Sequence, residues 1–136
     1  IYREVPVNSI WEGSGNVMAL DVVRALRREA GAAALIFADL EKRAEADPRL
    51  SKAVRHVKAL MADPSRIEHA ARELTETFAV AAAAILLAET APAAIATAFI
   101  ERRLGTNPRC LYGSGLREAA AAGEILATAA APELLT

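Results

Sequence analysis

Asp47-Pro48-Arg49-Leu50-Ser51-Lys52-Ala53-Val54-Arg55-His56-Val57-Lys58-Ala59-Leu60-Met61-Ala62-Asp63-Pro64 is the stretch whose reading decides the fold. Asp47 is a candidate N-cap, and Pro48 suits the first helical position, where no N–H is required and φ is already near its helical value. Leu50, Ala53, Val54, Val57, Leu60 and Met61 then follow at steps of 3, 1, 3, 3 and 1. That spacing predicts one apolar stripe on one helix. The opposite face carries Arg49, Lys52, Arg55, His56 and Lys58, with no acidic residue among them. Asp63-Pro64 repeats the start signal, with no longer repeat behind it.

The same punctuation extends in both directions. Towards the N-terminus, Ser14-Gly15-Asn16 precedes a run with Val17, Leu20, Val23 or Arg24, and Ala25 or Leu26 at helical spacing. Gly31 is the expected break, and a second helix over residues 32–46 places Leu35, Ile36, Leu40 and Ala44 on its apolar side. After Pro64 a long helix is expected, amphipathic through Ile67, Ala70, Ala71, Leu74 and Phe78, then apolar all round from Phe78 to Ala88. Such a helix is exposed at one end and covered on every side at the other, by the same bundle or by another subunit. Thr90-Ala91-Pro92 restarts the pattern through Ile95, Ala98 and Phe99 to a glycine stop at Gly105. Residues 106–115 read as a loop, and a last Ala-rich helix spans residues 116–130 before Pro132.

Composition supports this reading. The 136 residues are 54% hydrophobic and 24% charged, which is globular rather than disordered. Alanine supplies 33 of them and the aromatics only six, so helices can approach closely and β-branched strands are scarce. The expected fold is all-α, an up-and-down helical bundle of five or six helices. A net charge of −1 gives no global steering towards nucleic acid or an anionic membrane. One cysteine, Cys110, excludes an internal disulfide, and with His56 and His69 the only histidines no metal site is expected. The apolar run 78–88 is too short to span a bilayer and no signal-like segment opens the chain. The location expected is cytoplasmic, with no membrane partner. The chain opens at Ile1 without an initiator Met and is expected to be a fragment.

Residues 8–16, Asn8-Ser9-Ile10-Trp11-Glu12-Gly13-Ser14-Gly15-Asn16, differ from the rest. Gly13 and Gly15 let a backbone approach a ligand closely, and the helix N-terminus behind them suits a pyrophosphate. Glu12 beside Trp11 is a carboxylate in an apolar setting, which raises its affinity for a proton. The bland alternative is a solvated loop carboxylate with Ser14 as N-cap.

The longer stretch Tyr2-Arg3-Glu4-Val5-Pro6-Val7-Asn8-Ser9-Ile10-Trp11-Glu12-Gly13-Ser14-Gly15-Asn16-Val17-Met18 resembles the C-terminal signature of acyl-CoA dehydrogenases, most closely the AidB-like branch. The close resemblance covers about the first quarter of the chain. It implies that residues 1–136 form the C-terminal helical domain, with 1–16 as the active-site and flavin-contact loop and 17–136 as the bundle. It implies that Glu12 is the catalytic base, removing the α-proton of an acyl-CoA thioester while the β-hydrogen passes to FAD. It also implies cofactor contacts from Trp11, Gly13, Ser14, Gly15 and Asn16, with Asn16 the side chain expected to matter most. Ser14 and Asn16 stand where the common family pattern has Thr and Gln. Upstream domains of the same protein would supply most of the flavin site, so this chain by itself is expected to be inactive. Family members are commonly tetramers, and a homo-oligomer is expected.

The AidB-like branch also implies an alternative partner, double-stranded DNA, met through the C-terminal helices. Arg49, Lys52, Arg55 and Lys58 could contact phosphates without reading sequence. Arg24, Arg27 and Arg28 form a second basic cluster, of which Arg24 is expected to face the active-site cavity. Against this, residues 1–76 hold 12 basic and 12 acidic groups, and no aromatic interleaves the stripe.

Overall fold

The computed structural model describes residues 15–105 and 119–129. Among them there are six helices and no strand: α1 (Gly15–Arg28), α2 (Ala30–Ala44), α3 (Pro48–Met61), α4 (Ala71–Thr90), α5 (Ala93–Leu104) and α6 (Ala119–Ala129). The fold class is the all-α helical bundle. The chain divides into two compact units, Ile1–Ala79 and Val80–Thr136, and α4 runs through the division.

In the first unit α3 forms as its sequence dictates. Asp47 is extended (φ −143°, ψ 124°), its side chain accepts the Arg49 N–H, and Pro48 occupies the first turn. Leu50, Ala53, Val54 and Val57 are buried, while Leu60 and Met61 are half-buried at the end of the stripe. A short connection turns the chain so that α3 packs back along α2. The Ser51 hydroxyl donates to the Ala44 carbonyl at 2.9 Å and fixes that turn. Phe37 on α2 meets Phe78 on α4 with ring centroids 5.5 Å apart and tilted by 48°, a favourable aromatic geometry.

Three local expectations are corrected here. The break between α1 and α2 falls at Glu29, not Gly31, which lies inside α2. Glu29 is tied to both helices, its N–H donating to the Ala25 carbonyl and its carbonyl accepting the Ala33 N–H. The buried side of α2 is Ala33, Phe37, Leu40 and Ala44, leaving Leu35 (75% exposed) and Ile36 outside. Phe37 decides this phase, because its ring buries more area than either aliphatic side chain. Likewise α1 buries Ala19 and Val23 while Val17 and Met18 stay exposed. Finally, the helix expected directly after Pro64 starts only at Ala71, and residues 64–70 form successive turns.

The second unit has smaller side chains in its core: Ala81, Ala84, Ile85, Ala96 and Ile100. Among the described residues the all-round cover expected of residues 78–88 is incomplete, since Leu86 is 52% exposed. Thr90 closes α4 by donating its hydroxyl to the Leu86 carbonyl at 2.7 Å, and Pro92 sets the start of α5. Gly105 ends α5 in an extended conformation, φ −69° and ψ 175°. Glycine is required there by contact rather than by handedness, because a Cβ would lie 2.2 Å from the Glu101 carbonyl oxygen. Helices α5 and α6 pack together.

Candidate functional site

Trp11, Glu12, Gly13 and Ser14 lie outside the described residues. Gly15 and Asn16 lie within α1, so these two positions are helical rather than part of the expected loop. Both are exposed. Asn16 borders an open cleft of about 290 Å³, lined also by Leu20 from the next turn of α1, by Glu68 and His69 from the turns after Pro64, and by Ala71 and Arg72 from the start of α4. Arg72 points towards α1: its Nη2 lies 4.0 Å from the position a Cβ on Gly15 would take. The first turn of α1 contains no acidic residue.

The turns that bring Glu68 and His69 there start from Asp63. Its carboxylate accepts the Ser65 N–H at 3.0 Å and the Ser65 hydroxyl at 2.6 Å. The hydroxyl bond, with help from the backbone N–H groups, holds the Asp63 carboxyl below the usual range. Ile67 is buried and pins the segment. Spacing along the chain does not reveal that Arg72 and His69 line the same cleft as Asn16, because more than fifty positions separate them. Read alone, His69 is merely a polar residue on a helical face.

The basic residues fall elsewhere and are largely neutralised. Arg24 is exposed and pairs with Asp21 on its own helix, and it does not line the cleft beside Asn16. Arg49 grips its own cap: Nε and Nη2 reach the two Asp47 oxygens at 3.0 and 2.6 Å, and this pairing pulls the Asp47 carboxyl below its ordinary value. Lys58 donates to Glu41 on α2 at 2.6 Å, and His56 meets Glu73 on α4 at 2.7 Å. The face that lacks acids in its own sequence therefore receives them from neighbouring elements. Among the described residues, Lys52 and Arg55 are the members of the stripe that pair with nothing. No cluster of three or more His, Cys, Asp or Glu side chains suited to a metal occurs among the described residues. No helix among them is long and apolar enough to cross a membrane.

Comparison with known proteins gives one informative likeness. A 75-residue stretch of the chain is 43% identical to AidB of Escherichia coli (strain K12), whose name provisionally assigns it as an acyl-CoA dehydrogenase. The match covers 55% of this chain and 14% of that protein, so the matched part spans about one seventh of the relative. No family description and no solved structure matches the chain.

Proposed function

We propose, from the premise that this chain is AidB-like in sequence and so of the acyl-CoA dehydrogenase family, that it is the C-terminal helical part of a flavin-dependent oxidoreductase acting on an acyl-CoA thioester. The observation that carries the reading is the 43% identity to AidB. Glu12 is the proposed base. An α-C–H beside a thioester is a weak acid, so its base must be close, oriented and shielded from water. In the sequence Trp11 precedes that carboxylate and Gly13 follows it, residue types that suit an apolar setting and a close backbone approach. As Glu12 takes the α-proton, the electrons of that C–H bond form the new α,β double bond. FAD held at the site would supply the acceptor for the β-hydrogen and its two electrons. The exposed Asn16 amide at an open cleft fits a cofactor contact. Upstream parts of the protein, a homo-oligomeric assembly and a cytoplasmic location belong to the same proposal.

The test is a titration of the complete protein with a panel of acyl-CoA thioesters while the oxidised-flavin absorbance is followed. Bleaching with a matching thioester is expected, and Glu12→Gln should abolish it while flavin stays bound. Flavin that remains oxidised with every thioester refutes the dehydrogenase reading. Exposed, unpaired Lys52 and Arg55 favour a second reading, in which α3 meets duplex DNA. Reversing both charges should then weaken duplex binding and lower its salt slope by about 2. An unchanged slope removes α3 from any such surface.

A further inference from the structure

We draw no further inference here: the strongest candidate, the outward apolar face of α2 around Leu35 and Ile36, carries nothing because nothing in the structure shows what covers it.

Discussion

Asp47-Pro48 and Asp63-Pro64 are the same dipeptide, and both begin in the same way. Each carboxylate accepts the backbone N–H two residues on, at 2.7 Å in the first and 3.0 Å in the second. After Asp47 the chain makes the fourteen-residue helix α3. After Asp63 it makes turns for seven residues before α4 begins. The backbone bonds show where they part: Ile67 reaches Asp63 and Ala70 reaches Arg66, but Ala71 reaches back only to Glu68. The sequence following Asp47 buries Leu50, Ala53, Val54 and Val57 in unbroken helical phase. The sequence following Asp63 buries Ile67 and then places Glu68 and His69 beside the cleft. A cap and a proline specify one turn. Whether the helix continues depends on what the next two turns can bury.

Core truncation should strain this comparison most. Leu50→Ala removes a side chain that is 1% exposed and should cost about 2–5 kcal/mol in urea unfolding. Ile67→Ala should fall in the same range of about 2–5 kcal/mol, because Ile67 is equally buried although it sits in a turn. A near-neutral Ile67→Ala would mean that the turn segment is not pinned to the core.

Cap removal comes next. Asp47→Ala should cost about 1 kcal/mol, since it deletes an N-cap and the partner of Arg49 together. Asp63→Ala should cost less, because only a turn depends on it. Equal losses would show that the two signals do the same structural task.

Acid should reveal the first cap by a smaller amount. The native Asp47 carboxyl is held below its unfolded value, mainly by the Arg49 side chain. Its contribution is therefore complete above about pH 4, the unfolded carboxylate pKa, and is lost as pH falls through the lowered native value. Asp47→Asn should flatten that part of the stability–pH curve, and an unchanged acid slope would contradict the pairing. The smallest effect belongs to the half-exposed Lys58–Glu41 pair. Lys58→Ala should shift stability by no more than about 1 kcal/mol, readable as a small change in urea midpoint at constant m-value.

Much of the fold was legible because helical period and punctuation are local. The stripe Leu50 to Val57, the Asp47 cap, the Pro92 restart and the end of α5 at Gly105 all appear where residue spacing puts them. Leu35 and Ile36 misled because α2 offers two apolar rows, and Phe37 lies in the one that is buried. The candidate site was legible only at its Asn16 edge. Arg72 and His69 carry no motif, and they come to line the same cleft as Asn16 through the fold rather than through a spacing along the chain. The cationic stripe is legible as a face of α3, while the partners of Lys58 and His56 are not. Glu41 and Glu73 come from other elements.

By itself the sequence determined that this protein is helical, where most helices begin and end, and which family it resembles. Those properties follow from backbone propensity, capping chemistry and a specific motif, all of which act over a few residues. Only the tertiary structure decided which row of α2 is buried, that the second Asp-Pro opens turns rather than a helix, and that Arg72 stands beside the start of α1. Each of these depends on which surfaces are brought together, and burial rewards the largest well-packed area available rather than any local pattern.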